Sequence, residues 1–417
     1  MYAPPPHLYS SVAVFLLSAA ALSVPSGYSI GAILLVLMGV YALSSARYFK
    51  TQLSAKDWWL LLAISLFGLG GVFDALYHQA HGSNYDKAIR FLLAAVAFFA
   101  LKKYPPRLSW LWAGLIIGSL SALATALWQT IGLDIDRAHG YTHPIQFGNL
   151  AMLMGFFCLA GLGWAFSLKN KTQAAAWAAA LILGAVCAVL SSLLSGSRGG
   201  WVSVPFVLLI LIKAYHRHFQ WRTKLLASLV AVAALVGLYH TPQLNVQPRI
   251  YAAINDLQLY KAGDSHTSLG ARFEMWQAAL WLTKQKPVFG WGKDHMQTAM
   301  QDLAAQGKVD SVVGSFNHAH NEFLDIAAKR GLVGLITLIL LYLIPIRLYI
   351  PYLTHTSLKI RALATAGLIL PVAYIDFGLS QAFLSHNSGL MMYAFWTICF
   401  WNLLQHSLNN TQPYCNK

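Results

Sequence analysis

Apolar runs long enough to cross a bilayer recur in this chain from residue 9 to residue 404, and they constrain the fold more than any other feature. A segment that lies in lipid has no water to bond its backbone and must therefore be helical. The sequence predicts an all-α membrane protein. Twelve runs stand out, at 9–24, 27–45, 58–77, 88–101, 110–132, 145–166, 174–194, 199–214, 225–239, 332–352, 361–380 and 388–404.

Composition agrees with this interpretation, because only 10% of the 417 residues are charged and the mean hydropathy is +0.53. Soluble domains carry roughly 25% charged residues. The run at 88–101 is short and contains Arg90, so a tilted or partly buried helix fits it as well as a clean span. The first run has no charged segment before it and no clear cleavage site, and we expect it to be an uncleaved anchor.

The topology follows from the placement of lysine and arginine. With the N-terminus inside the cell, the short inside loops hold sixteen of these cations and the short outside loops hold four. Basic residues favour the cytoplasmic side, so the one long loop, at about 240–331, is expected outside. We predict three parts: helices one to nine at 1–239, an outer loop domain at 240–331, and helices ten to twelve with a tail at 332–417.

Charge and cysteine content exclude some functions. The net charge of +15 arises mainly from the inside loops, where topology and anionic lipid explain it, so no nucleic acid partner is expected. The four cysteines show no zinc-type spacing, and the long loop has none, so no disulfide framework is predicted. Within the long loop, residues 272–283 have the spacing of an amphipathic helix and residues 284–292 have the composition of a turn-rich segment.

The turn after the seventh run has the sequence Ser-Gly-Ser-Arg-Gly-Gly-Trp, at residues 195–201. Glycines let backbone amides approach a ligand, and Arg198 would project at membrane level, where it needs an anion. The alternative is a close-packed helix turn whose arginine reaches the lipid headgroups. Arg272, early in the long loop, begins the amphipathic helix, and by itself it fits an ordinary surface arginine equally well.

The end of the long loop concentrates histidines and carboxylates at 317–325, with the sequence Asn-His-Ala-His-Asn-Glu-Phe-Leu-Asp. An unperturbed imidazole titrates near pH 6.5 and can accept a proton at neutral pH. His318 and His320 could instead chelate a metal with help from Glu322 or Asp325, although the spacing matches no zinc motif. A helix cap formed by an asparagine here is a further alternative.

Two more polar residues are expected on the outer face. Asp376 lies near the outer end of the eleventh run, where an acid usually has a partner or a task; a buried salt bridge is the alternative. Arg137 belongs to a polar loop at 134–143 that could bind sugar or phosphate, or could simply be a solvated connector.

These segments together resemble the O-antigen ligase and polymerase superfamily, membrane glycosyltransferases that use undecaprenyl-pyrophosphate-linked glycans. The likeness lies in about twelve spans, a late outer loop, a Ser-Arg-Gly turn, an early loop arginine and a His-Asn pair at its end. Within the superfamily, the length and the loop position look most like the O-antigen ligases. The resemblance implies a GT-C-like, all-α fold with one large periplasmic helical loop.

The resemblance also assigns roles to individual residues. The family's essential arginines look like Arg198 and Arg272, and its essential histidine looks like His320, which directly precedes Asn321. His318 is the alternative, because the His-Ala-His arrangement leaves an ambiguity of two residues. As substrate-binding residues we predict the two arginines together with His318, Asn321, Asp376 and Arg137.

The implied activity is transfer of O-antigen from undecaprenyl pyrophosphate to a lipid A-core sugar in the bacterial inner membrane, with the active site facing the periplasm. The two arginines would stabilise the leaving diphosphate and His320 would deprotonate the acceptor, with inversion and with neither metal nor cofactor. An O-antigen polymerase, which uses a second lipid-linked glycan as acceptor, stays open. A polytopic transporter or flippase is the alternative from another class, but no paired interrupted helices support it.

Overall fold

The computed structural model describes residues 6–44, 49–50, 52–197, 199–215 and 246–410. Within these ranges fourteen α-helices have defined bounds, and there is no β-strand. In chain order they are α1 Pro6–Ala19, α2 Gly27–Leu43, α3 Ala55–Tyr77, α4 Gly82–Lys103, α5 Leu108–Leu127, α6 Pro144–Phe166, α7 Lys171–Leu194, α8 Ser203–Tyr215, α9 Val246–Lys261, α10 Ser268–Gln285, α11 Met296–Ala305, α12 Glu322–Tyr349, α13 Leu358–Ser380 and α14 Asn387–Asn409.

Six of these helices are long and apolar enough to cross a membrane, namely α3, α5, α6, α7, α12 and α13. Shorter apolar helices occupy Pro6–Ala19, Gly27–Leu43 and Gly199–Tyr215. The protein is therefore a helical membrane protein, as the sequence predicts. Each apolar run within the described ranges overlaps a helix, while the run at 225–239 lies outside them, so the count of twelve spans stays a prediction.

The centre of the bundle is formed by α6 and α13, which pack against each other. In the most apolar part of each, 83% of the residues are buried. Around this pair lie α7, α8, α12 and α14, and α1 to α5 complete the bundle. Small residues set the spacing of α1 and α5, since a Cβ at Gly118 would lie 2.3 Å from the carbonyl oxygen of Ser18.

The segment between α8 and α12 has a hydrophobic core of its own. Met275 and Leu282 of α10 pack there with Met296, Met300 and Leu303 of α11. The amphipathic helix predicted at 272–283 lies within α10, and helix capping explains where α10 begins, because the Thr267 side chain accepts a hydrogen bond from the Gly270 N–H.

Helix α12 is broken at Gly331, just before the tenth apolar run. Gly331 has φ 62° and ψ −162°, a conformation that is essentially restricted to glycine. The freed backbone groups pair with the turn-rich segment before α11: Trp291 N–H donates to the Ala328 carbonyl at 2.9 Å, and Leu332 N–H donates to the Pro287 carbonyl at 2.7 Å. The segment at 287–292 is thereby fixed against the first turns of α12.

Candidate functional site

His320 is held by a chain of side-chain hydrogen bonds at the end of α13. Its Nδ1 lies 2.5 Å from Oε1 of Gln381, and Nε2 of Gln381 lies 3.0 Å from Nε2 of His386. An amide oxygen can only accept, so His320 donates through Nδ1, and the amide nitrogen of Gln381 donates to His386. This tautomer leaves the lone pair of His320 on Nε2, for which the described residues provide no hydrogen-bond partner.

The surroundings of His320 keep its imidazole neutral. Burial lowers the pKa of His320 to about 4, and the neighbouring charges of His318 and Arg272 also lower it. The Gln381 hydrogen bond and the Asp325 carboxylate act in the opposite direction. His320 also has φ 47°, an uncommon backbone conformation for a side chain that has a Cβ. At pH 7 the site therefore presents an unprotonated imidazole nitrogen, which is the state a general base requires.

His318 is the second histidine of this cluster. Its ring centroid lies 4.1 Å from that of His320, and its Nδ1 lies 2.8 Å from Oδ1 of Asn317. Burial lowers the pKa of His318 as well. Within the described ranges, His318 bonds to its chain neighbour alone, whereas His320 is fixed by a residue at the end of another helix. The geometry therefore favours His320 over His318 as an oriented group.

Asn321 caps α12, the structural alternative considered for this motif. Its Oδ1 accepts from the N–H groups of Phe323 and Leu324, and its Nδ2 donates to the Leu379 carbonyl at 3.3 Å. Asn321 thus ties the start of α12 to the end of α13 and sets the position of the preceding His320.

The two carboxylates of the motif serve local structure. Glu322 accepts the N–H of Leu384 at 2.7 Å, and Asp325 accepts the N–H of Ala319 at 3.0 Å and pairs with Lys329 at 2.8 Å. Across the described ranges, no group of three or more His, Cys, Asp or Glu residues is arranged to hold a metal ion. The metal alternative thus gains no geometric support.

Arg272 supplies the cation of the site. It lies in the first turns of α10, is partly buried, and burial lowers its pKa. Its positive charge is one of the influences that lower the pKa of His320. Among the described residues, no carboxylate pairs with the Arg272 guanidinium, whereas Glu274 on the same helix accepts the Asp310 N–H at 2.9 Å. A partly buried guanidinium without a counter-ion is suited to an anionic ligand.

Arg198 lies outside the described residues, but both of its neighbours are described. Ser197 Oγ donates to Oδ1 of Asn149 on α6 at 2.7 Å, and a Cβ on Gly199 would lie 2.8 Å from Oγ of Ser380 on α13. Ser380 directly precedes Gln381, the partner of His320. The Ser-Gly-Ser turn and the His-Ala-His segment therefore meet at the same end of α13.

Asp376 and Arg137 border this region. Asp376 lies one turn before Ser380 on α13 and is buried, and its Oδ2 has no hydrogen-bond partner within the described part of the chain. Arg137 Nε donates to the Ser195 carbonyl at 2.9 Å, which places the loop at 134–143 on the turn that precedes Arg198. The same loop brings His143 to His386, with ring centroids 5.8 Å apart.

Gln381 and His386 are members of the site that the sequence interpretation missed. They belong to no recognisable motif, and their spacing of five residues signals nothing by itself. The one available sign is the polar character of 380–388 between two apolar runs. Their importance follows from contacts between residues 61 positions apart, which no local pattern contains.

Comparison with known proteins supports the resemblance. Residues 183–339 match the family described as O-antigen ligase. The chain is 29% identical to an uncharacterized protein of Haemophilus influenzae over 383 residues, which cover 91% of this chain and 94% of that protein. It is 29% identical to the O-antigen ligase of Escherichia coli over 200 residues, which cover 47% of this chain and 45% of that protein. The region matched by the family contains Arg198, Arg272, His318 and His320.

Proposed function

We propose that this chain, whose residues 183–339 match the O-antigen ligase family, transfers O-antigen from undecaprenyl pyrophosphate to a sugar hydroxyl of lipid A-core. The partners are the lipid-linked glycan donor, the lipid A-core acceptor and the membrane lipid. The location is the periplasmic face of the bacterial inner membrane, which the placement of lysine and arginine in the short loops supports.

The observation that carries this proposal is the orientation of His320 by Gln381, together with Arg272, whose charge acts on His320 and which has no carboxylate partner among the described residues. Gln381 holds the Nδ1–H of His320, so Nε2 is free to accept the proton of the acceptor hydroxyl. The acceptor oxygen forms a bond to the anomeric carbon as the bond from that carbon to the diphosphate breaks. The electron pair leaves with the diphosphate, and displacement from the opposite side inverts the anomeric configuration.

The leaving diphosphate needs cations more than it needs a proton. Arg272 would bind its oxygens through bidentate, charge-assisted hydrogen bonds. Arg198 would do the same from the turn whose neighbouring residues, Ser197 and Gly199, pack against α6 and α13. Asp376, Arg137, Asn321 and His318 would bind or orient the substrates around this centre. Two guanidinium groups can provide the required charge without a metal ion.

A defined transfer assay tests the proposal. Purified protein in detergent receives the lipid-linked donor and either lipid A-core or a second lipid-linked glycan as acceptor. We expect a product with lipid A-core. Elongation of the second lipid-linked glycan alone would identify a polymerase. No product with either acceptor would refute a transferase and favour a transporter, which needs a sealed membrane.

Variants in the same assay test the roles of the residues. We expect His320→Ala to lower the transfer rate by roughly 10²- to 10⁴-fold and Arg198→Ala and Arg272→Ala to abolish measurable transfer. The exposed Lys261→Ala is the control and should retain the wild-type rate. Full activity in His320→Ala would remove it from the base role, and loss of activity with a chelator would contradict the metal-independent mechanism.

A further inference from the structure

A second cluster of cations lines a cavity beside the proposed active site. The cavity has a volume of about 90 Å³ and lies between α3, α4 and α12, bordered by Lys293 and by Leu384 and Ser385. Four basic side chains contribute to its wall: Lys87, Lys293, Lys329 and Arg330. Phe67, Phe91 and Ile326 form apolar parts of the lining, which limits the access of water and strengthens electrostatic interactions inside.

Two of the four cations have carboxylate partners. Lys329 pairs with Asp325 at 2.8 Å, and Nε of Arg330 lies 3.5 Å from Asp74. The third carboxylate of the lining, Glu322, accepts the backbone N–H of Leu384. All three carboxylates of the cavity wall thus already have a partner within the protein.

The two lysines contact neutral groups. Lys87 donates to the carbonyl oxygen of Ser385, and Lys293 donates to Oδ1 of Asn84 at 2.6 Å. Among the described residues, neither lysine has a carboxylate within 4.0 Å. The charges that act most strongly on Lys87 are those of Lys293, Lys329, Arg90 and Arg330, all of them positive. Asp294, next to Lys293 in sequence, is instead bound by Asn84 and His81.

Cations gathered in a partly buried space repel one another unless an anion joins them. Lysine ammonium groups act as compact point charges, which suits a phosphate with several acceptor oxygens. At about 90 Å³ the cavity has room for one phosphate group, since a single water needs only roughly 10–15 Å³ by the same measure. The cavity is partly open, so the rest of a ligand held here can extend out of it.

The cavity adjoins the proposed transfer site through two short connections. Ser385, the partner of Lys87, directly precedes His386, and Glu322 follows His320 by two residues. Arg330 lies eight residues after Glu322, about 12 Å along α12. Because Arg198 and Arg272 are assigned to the donor diphosphate, the phosphate in this cavity belongs to the other substrate. We propose that the cavity lined by Lys87 and Lys293 binds a phosphate ester of the acceptor lipid. This inference rests on the proposed function.

A binding measurement without donor tests the inference independently of transfer. Full-length protein in detergent is titrated with lipid A that carries both phosphates and with the same lipid A after phosphatase treatment. We expect the wild type to bind the phosphorylated lipid roughly 10-fold more tightly, since a charged hydrogen bond contributes on the order of that factor. Equal affinity for the two lipids would overturn the proposal.

The double variant Lys87→Gln and Lys293→Gln should remove this preference while still donating hydrogen bonds to Ser385 and Asn84. Lys261→Gln, an exposed lysine at the end of α9, is the matched control and should keep it. Thermal unfolding of each variant checks that the fold is retained. Lys87→Arg keeps the charge and should keep the preference for phosphorylated lipid A. Loss of that preference in the glutamine variant and its retention in Lys87→Arg would show that the positive charge is what binds the phosphate.

Competition separates the possible sources of the phosphate. Phosphatidylglycerol micelles that displace lipid A as effectively as lipid A itself would show a general headgroup site and overturn the assignment to the acceptor. Inorganic phosphate should compete only weakly, because it lacks the lipid. The two proposals can also fail separately. If the protein shows no transferase activity but binds lipid A in a phosphate-dependent way that the double variant loses, the proposed function is refuted and the cavity remains a lipid phosphate site.

Discussion

At the scale of single residues, the decisive feature is the bond between His320 and Gln381. A neutral amide fixes the tautomer and the ring orientation without adding charge, so burial keeps the pKa of His320 low, at about 4. The base is then unprotonated over the whole neutral range. A carboxylate in place of the amide would hold the same tautomer but favour the protonated form.

The substitution Gln381→Glu should therefore shift the pH dependence of transfer. A base works only when it is unprotonated, so kcat/KM falls as the pH drops through the pKa of His320. In the wild type this fall is expected near pH 4, and in the Gln381→Glu variant it should move up by roughly one to three units. The groups that face His320, namely His318, Arg272 and Asp325, are unchanged. Measuring kcat/KM across the acidic and neutral range tests this.

Gln301→Glu is the matched control for that experiment. Gln301 is exposed and donates to the Gly314 carbonyl, so this variant adds the same charge to the loop away from His320. Its pH profile should equal that of the wild type. An acidic limb that stays in place in Gln381→Glu, with activity retained, would contradict the role of Gln381 as a positioning residue.

Arginine geometry allows a second test at this scale. Arg272→Lys keeps the positive charge but loses the planar fork that binds two phosphate oxygens at once. We expect the transfer rate to fall by roughly 10-fold or more, with protein level in the membrane unchanged. Lys308→Arg, an exchange at an exposed site near Trp281, should leave the rate unchanged. A lysine variant as active as wild type would show that Arg272 acts through charge alone.

At the scale of elements, the break in α12 explains how a membrane helix and the segment before α11 are joined. The helix gives up its regular bonds around Gly331, and the segment at 287–292 replaces them with its own backbone groups. This arrangement also brings Lys329 and Arg330 of α12 next to Lys293. The cavity therefore depends on this break.

Gly331→Ala should therefore destabilise the protein. The backbone conformation of Gly331, with φ 62° and ψ −162°, costs a residue with a Cβ roughly 1–3 kcal/mol, and the new Cβ would lie 2.2 Å from the carbonyl oxygen of Val288, so the segment must move. Gly307→Ala is the control, because Gly307 has φ 66° and open space around its Cβ position. The apparent melting temperature should fall more for Gly331→Ala. Equal falls would show that the contact with Val288 adds nothing.

At the scale of the whole molecule, α13 organises the site. Two residues at this end of the helix reach different parts of the chain: Ser380 lies against Gly199, and the following Gln381 holds His320. Asp376, one turn earlier, is buried. Helix α13 is itself enclosed by α6, α8, α12 and α14. Segments that are far apart in sequence thereby share one end of a rigid helix.

Cysteine labelling tests which side of the membrane this end faces. In a Cys415→Ser background, Lys261→Cys should react with an impermeant maleimide added to intact right-side-out vesicles, whose outer surface is the periplasmic face of the inner membrane. The reason is that the positive-inside rule predicts the long loop on that face. Lys169→Cys, between α6 and α7, should react only after the membrane is opened. Cys158, Cys187 and Cys399 are buried and should stay unlabelled. The reverse pattern would contradict the predicted topology.

The sequence by itself determined the helical membrane class. The polar backbone of an apolar segment finds no water in a bilayer, so its N–H and C=O groups must bond to one another within a helix. It also identified Arg272, His318, His320 and Asn321 as candidates, since charged and polar residues beside apolar runs are few. The helical character of 272–283 followed from local periodicity, and the structure extends that helix to Ser268–Gln285. These features are all encoded within short stretches of chain.

Only the tertiary structure decided which of these residues act together. The bond from His320 to Gln381 joins positions 61 apart, and the one from Lys87 to Ser385 joins positions 298 apart. The break at Gly331 exists because a distant segment satisfies the freed backbone groups, and a glycine alone does not predict it. Side-chain chemistry is local, whereas tautomer, burial and the grouping of like charges depend on how the helices pack.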